Sequence, residues 1–328
     1  MTIRNANAAT SEYNGYSVNI FTEEERRAIH YATVEVLRDV GLIIGLKEFR
    51  DLLGDNGAFV DESAKVVKFP EYMVDDALSS APSRITLFGR DPKNDLALEG
   101  KKVYVSTFGQ AVKIYNPISG ELRNSVKQDL ADQARLTDAM DAIDICLRSL
   151  TASDAPLETA PLHEAEAVFP NTTKHAMFGP GNGYRAQKII DMACAIVGGT
   201  EALREKPIFT CNCCPTSPLK LDETILTAIK ATAEAGVPCN VLSMVMAGMS
   251  GPITLAGSLV VHNAEILASV VIHQLIRRGS PVIYGGSSMA FDLCKTTTPM
   301  GSPECALMNS ALPDIARYYN LPNFCAGG

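Results

Sequence analysis

The sequence predicts an α/β fold, a (β/α)8-type barrel that is incomplete in this chain, with about six strands behind an N-terminal helical extension and a small antiparallel insert. Three observations lead there. From about residue 125, short apolar runs alternate with helical periodicities, the spacing of parallel strands joined by crossover helices. Four of those runs open at or beside Pro207, Pro238, Pro281 and Pro322, where a missing N–H costs no ladder hydrogen bond. No G-x-G-x-x-G follows an early strand, so a dinucleotide-binding open sheet loses support. The nearest approach to a phosphate loop, Gly179-Pro180-Gly181-Asn182-Gly183, lacks the spacing and the lysine of a Walker A motif. A TIM-type barrel is the preferred reading, with two strand and helix units missing.

The elements follow in order. Thr22 with Glu25 three residues on forms a capping box, Glu23 and Glu24 suit the positive end of a helix dipole, and Gly41 supplies a stop. Ile29, Val36 and Val40 give that helix an apolar stripe. Helical pattern continues through 47–53 and 70–80, making residues 1 to about 84 a helical lead-in. Strands are expected at 85–88, 103–107 and 111–115, with Asn116-Pro117-Ile118-Ser119-Gly120 as a turn. Parallel strands are expected at 143–150, 174–178, 207–212, 238–245, 281–285 and 322–326. Helices at 186–197, 222–235, 254–278 and 303–319 connect them. The expected division is 1–124 for lead-in and insert, and 125–328 for the incomplete barrel.

Composition narrows the function classes. With 328 residues, 46% of them hydrophobic, the chain can bury a large core. Twenty-nine basic against 37 acidic side chains give net −8 with no basic block, which argues against nucleic acid as a partner. A small solute or a protein is the expected partner. The first residues carry no apolar core of signal-peptide length. The longest apolar stretch, 253–276, is interrupted by His262, Asn263, Glu265, His273 and Gln274, so a buried helix is expected and no membrane span. Nine cysteines without an export signal fit reduced thiols and a cytoplasmic location. The chain halts at Leu321 to Gly328 on a strand and a glycine pair, which leaves backbone groups unpartnered and suggests an unfinished alternation.

In such a barrel the chemistry sits on the loops after the strands, here 151–154, 179–184, 212–217, 243–250, 285–292 and the terminal glycines. The cluster Cys211-Asn212-Cys213-Cys214 suggests zinc, yet no second C-x-x-C pair accompanies it and neighbours on a strand face opposite sides. Buried inert thiols are the plainer reading. Five histidines form no H-E-x-x-H; His262 and Glu265 share a helix face and read as a satisfied polar pair before a metal site. No serine nucleophile elbow is present. In Gly301-Ser302-Pro303-Glu304, Ser302 is an N-cap candidate and Glu304 lies at the positive end of a helix. Glu304 either only complements the dipole, or is brought over the barrel mouth by the 287–300 loop, where a carboxylate could bind an amine cation or exchange a proton. Phe108, Tyr184 and Tyr284 are aromatics able to face a methylated cation, though each is also an ordinary core residue type.

The run from Ala247 through Ser250-Gly251-Pro252 to Ser258, followed by Asn263 to Ala268, resembles the trimethylamine:corrinoid methyltransferase family. Further matches are Ser217-Pro218-Leu219, Pro281 to Gly285, Gly301 to Glu304, and Leu321 to Gly328. The resemblance covers essentially the whole chain. It implies a TIM barrel with a helical extension that moves a methyl group from trimethylamine to the Co(I) corrinoid of a small partner protein, giving dimethylamine and methyl-Co(III). No cofactor would be bound directly, since the corrinoid travels on the partner, and a homo-oligomer is expected. One branch of the family carries pyrrolysine, encoded by an in-frame amber codon, after an Ala-Gly-Gly like Ala326-Gly327-Gly328, so the resemblance implies an amber-terminated product lacking that residue. Another branch demethylates quaternary amines such as glycine betaine. The family assigns charge stabilisation or proton transfer to a carboxylate matched here by Glu304, and Tyr284, Phe108 and Tyr184 are candidates for the amine. Gly285, Gly286, Gly327 and Gly328 would leave room for the macrocycle. A zinc-dependent thiol methyltransferase and an inactive truncated barrel acting as a binding module are the alternatives.

Overall fold

A computed structural model of the protein describes residues 20–100 and 102–326. Two compact units are present within them. One holds Arg84–Asn212 and Ala235–Pro238, the other 20–83, Cys213–Glu234 and 239–326.

In the first unit the strands Ile145–Leu147, His175–Phe178 and Phe209–Cys213 run parallel, His175–Phe178 in the middle. All four residues of that central strand are buried, as expected where a sheet is covered on both faces. Phe169, Phe178 and Phe209 meet at centroid distances of 5.0 to 6.0 Å and fill its apolar side. Lys127–Ala139, Ala160–Val168, Gly183–Val197 and Thr200–Glu205 are its helices. The end of the first is closed by Lys174, whose Nζ donates to the carbonyls of Thr137, Met140 and Ile143 at 2.6 to 2.7 Å. A buried ammonium is tolerable there because three acceptors and a helix C-terminus surround it. Two hairpins form the insert, Ile85–Leu87 with Leu96–Leu98 and Lys113–Tyr115 with Leu122–Asn124. The Asn116 side chain accepts from the N–H groups of Ile118 and Ser119, and Gly120 takes φ +73° to close the turn. Residues 103–107 differ from expectation. They make no hairpin, but run beside the first parallel strand through a Ser106–Ile145 bridge.

In the second unit Cys239–Ser243, Val282–Gly286 and Asn323–Cys325 run parallel, with Val282–Gly286 central. The six strands, three in each unit, thus alternate with helices in the succession of a (β/α)-barrel. The 22-residue helix Leu255–Ile276 is the one described helix long and apolar enough to cross a membrane; its most apolar 18-residue window has mean hydropathy 1.7 and is 72% buried. Glu23–Glu35 begins at Thr22 with the capping box in place, and Gly41, at φ +77°, ends the turn that follows. Lys47–Asp55 and Glu71–Ser80 are helical as expected. The lead-in is not purely helical, however. Leu42–Ile44, Val66–Lys68 and Phe59–Asp61 form a small sheet, joined on its other edge by Lys220–Leu221.

Candidate active site

The loops after the fourth and fifth parallel strands stay side by side beyond the sheet. Ser287 N donates to Ser243 O at 3.1 Å, Met289 N to Val245 O at 3.0 Å and Phe291 N to Ala247 O at 3.0 Å. Met246–Ala247 and Met289–Ala290 therefore form a short parallel pair. Under them lies Leu255–Ile276, started by Thr254, whose Oγ1 accepts from Gly257 N at 3.3 Å.

Two polar residues of that helix, three positions apart and so on one face, reach the strand ends. Glu265 is fully buried. Its Oε2 accepts from Ser243 Oγ at 2.6 Å and Ser217 Oγ at 2.9 Å, and its Oε1 from Leu219 N at 2.9 Å. Burial raises the carboxyl above its ordinary pKa, and the three donors work against that shift. His262 Nδ1 lies 2.8 Å from Ser288 Oγ, which also accepts from Val245 N at 3.2 Å. Ser288 Oγ has one proton and two lone pairs, so beside the Val245 N–H it serves Nδ1 as donor or as acceptor according to the ring's tautomer. Burial lowers the His262 pKa to about 3, so the ring is neutral, and Nε2 has no hydrogen-bond partner among the described residues. The two side chains are therefore not a pair with each other; each holds a different loop. The sequence does carry a signal for this, since polar groups at 262 and 265 inside an apolar run must find partners. What it does not carry is which loops supply them.

Glu304 sits, exposed, in the first turn of Pro303–Tyr318. Ser302 is the N-cap, its Oγ accepting from Cys305 N at 3.3 Å, and Pro303 opens the helix. The Glu304 side chain makes no hydrogen bond or ion pair with another described residue. The preceding loop is shaped by an Asp292–Thr297 bridge and by Asp292 Oδ1, which accepts from Cys294 N and Lys295 N at 3.0 Å. Tyr284 is fully buried; its hydroxyl donates to Asn263 Oδ1 at 3.1 Å, and its ring stacks on Tyr319 at 6.5 Å. In the first unit Phe108 is 47% exposed and Tyr184 70% exposed, with Lys188 Nζ 5.8 Å above the Tyr184 ring.

Gly285 and Gly286 are buried, and a Cβ at either would collide with neighbours. At Gly285 it would lie 2.2 Å from Asn240 Oδ1 and 2.6 Å from Val241 O; at Gly286, 2.3 Å from Leu312 Cδ1 and 2.6 Å from His262 Cε1. The described packing thus gives both glycines a structural reason of their own and no open cradle for a macrocycle. Gly327 and Gly328 lie outside the described residues. Of the cysteine cluster, Cys211 and Cys213 are buried and Cys214 is exposed, none of them in a disulfide. Among the described residues no group of three or more His, Cys, Asp or Glu is placed to hold a metal ion.

The family model described as trimethylamine methyltransferase (MTTB) matches residues 3–328. The trimethylamine methyltransferase MttB of Desulfitobacterium hafniense (strain DSM 10664 / DCB-2) is 44% identical over 321 residues, covering 98% of this chain and 65% of the relative. The chain therefore spans just under two thirds of that relative's length. A glycine betaine methyltransferase of Desulfitobacterium hafniense (strain Y51) is 32% identical over 311 residues, covering 94% of this chain and 64% of the relative. Among solved structures, the Methanosarcina barkeri monomethylamine methyltransferase superposes with TM-score 0.55 over 92% of this chain and 65% of its own, at 11% identity, a likeness of fold.

Proposed function

The chain belongs to the trimethylamine methyltransferase family, and on that premise we propose that the protein transfers a methyl group from trimethylamine to the corrinoid of a small partner protein, releasing dimethylamine. What supports this reading above all is the family match along 3–328, together with 44% identity to a trimethylamine methyltransferase over nearly the whole chain. In protonated trimethylamine the N–CH3 bond breaks with its electron pair passing to nitrogen; the neutral dimethylamine keeps the proton, and the methyl goes to the acceptor. The corrinoid supplies the nucleophile.

The role proposed for this chain is to hold the amine as a cation. Glu304, exposed at a helix N-terminus that favours its negative charge, is the proposed carboxylate for charge stabilisation or proton transfer. Of the three aromatic candidates, Phe108 and Tyr184, whose rings are exposed, are proposed for the amine, and the fully buried Tyr284 is proposed only to hold the strand in place. A cytoplasmic location and a homo-oligomer belong to the same proposal, the first supported by nine cysteines that form no disulfide among the described residues. The 124/125 division is also kept as a proposal, supported by the start of Lys127–Ala139, the first helix of the alternation.

A panel of amines offered to the full-length gene product with its corrinoid partner tests the substrate. Dimethylamine release from trimethylamine should exceed turnover of glycine betaine. Preference for the betaine would replace the reading with that of the more distant relative.

A further inference from the structure

We propose that Glu265 and His262 are positioning residues for the methyl-transfer site, one turn of the Leu255–Ile276 helix fixing the loops that follow three successive parallel strands. The proposal deepens the reading above and rests on it only for its activity readout. Ser217 and Leu219 lie after Phe209–Cys213, Ser243 closes Cys239–Ser243, and Ser288 follows Val282–Gly286. These are the places where a barrel of this type does its chemistry. Glu265 joins the first two through three donors, and His262 joins the third through Ser288. Ser288 in turn receives Val245 N from the neighbouring loop, and its carbonyl accepts from Asn309 Nδ2 at 3.0 Å, on the helix that begins beside Glu304. A continuous set of hydrogen bonds thus runs from the 216–219 segment to the Glu304 helix.

Stability alone does not call for this arrangement. A carboxylate buried without a cation is costly, and an apolar side chain of similar volume would serve packing as well. What Glu265 adds is geometry. Its two oxygens accept from three donors on two segments 24 or more residues apart in the chain; an amide keeps one oxygen for Leu219 N, and both serine hydroxyls would have to turn round and accept from its NH2. Gly286 completes the fit by letting the His262 ring approach the strand to where a Cβ would stand.

The test uses the full-length gene product and the variants Glu265→Gln, Ser217→Ala and Ser243→Ala. Amide hydrogen exchange is read by segment, and turnover of trimethylamine is read as kcat and KM. For Glu265→Gln, exchange should rise ~10-fold or more in 216–221 and 243–250, while the centre of the 255–276 helix changes less than ~2-fold. Ser217→Ala should loosen only the first segment and Ser243→Ala only the second, which keeps the test alive if Glu265→Gln fails to fold. kcat should fall ~10-fold or more for Glu265→Gln with KM within ~3-fold, and Glu265→Asp should fail to restore it. Unchanged exchange in both segments, or a uniform rise through the chain, overturns the proposal. A parent protein inactive towards trimethylamine sinks the functional reading instead, and the exchange pattern still decides the positioning role.

Discussion

Asn263 bridges Tyr284 and Tyr319: its Oδ1 accepts from the Tyr284 hydroxyl at 3.1 Å, and its Nδ2 donates to the Tyr319 oxygen at 2.7 Å. The same Nδ2 reaches Thr33 Oγ1 at 2.9 Å, and His30 Nδ1 lies 3.2 Å from the Tyr319 oxygen. One buried amide therefore ties the first helix of the lead-in to a barrel strand and two barrel helices. Burial raises the pKa of both tyrosines, so their hydroxyls stay protonated as donors.

Tyr284→Phe tests this bridge. It leaves Asn263 Oδ1 buried without a donor, and the expected cost is ~1–3 kcal/mol of stability. The KM for amine should stay unchanged, because the ring is fully buried. Denaturant titration and steady-state kinetics check the two halves; a raised KM at wild-type stability would return Tyr284 to contact with the substrate.

Glu304→Gln is expected to show the opposite pattern. An exposed dipole-complementing carboxylate contributes less than ~1 kcal/mol, whereas a group that transfers a proton in the reaction is worth roughly a hundredfold in rate. Turnover should fall that far with the melting curve unchanged. Full activity in the variant would leave Glu304 with helix capping alone.

Gly286→Ala should destabilise through overpacking, by ~1–3 kcal/mol, since its Cβ meets Leu312 and His262. Gly285→Ala meets the Val241 carbonyl, which is backbone and yields less readily, so the larger loss is expected there. Equilibrium unfolding of both variants gives the order. A neutral Gly286→Ala would mean that Leu312 and His262 can move aside.

Acid should weaken the fold earlier than carboxylates alone would predict. Burial lowers His175 to about 4, and His262 and His273 to about 3. Unfolded, each binds a proton near the ordinary value of 6.5; folded, each resists it. The stability they contribute is complete above pH 6.5 and is lost as pH falls from there towards 4 and 3, with a slope of up to ~1.4 kcal/mol per pH unit per group. Glu265 works the other way, its raised pKa favouring the fold at low pH and losing that contribution as pH rises through it. Three groups against one leave a net loss on acidification. Urea midpoints between pH 7.5 and 5 measure it, and a flat profile would show that the histidines take up protons as readily folded as unfolded.

Much of the fold was readable because the signals were local. The Thr22–Glu25 box lies within one turn, and Pro207, Pro238, Pro281 and Pro322 stand one or two residues before the strands they announce. The sheet of Leu42–Ile44, Phe59–Asp61 and Val66–Lys68 was not readable, since three residues are too few for an alternation to show. Its edge partner, Lys220–Leu221, lies far along the chain. Residues 103–107 look like a hairpin arm by composition, yet pair with Ile145, a tertiary choice that overrides β-propensity. At the candidate site the helix-start position of Glu304 was legible from Ser302 and Pro303. The partners of Glu265 were not, because hydrogen bonds between segments 22 to 48 residues apart leave no periodic trace.

The central claim is methyl transfer itself, and trimethylamine carrying isotope-labelled methyl groups tests it most directly. With the full-length gene product and the corrinoid partner protein, each dimethylamine formed should be matched by one labelled methyl group recovered on the corrinoid. Dimethylamine formed without label on the corrinoid, or no dimethylamine at all, would contradict the account.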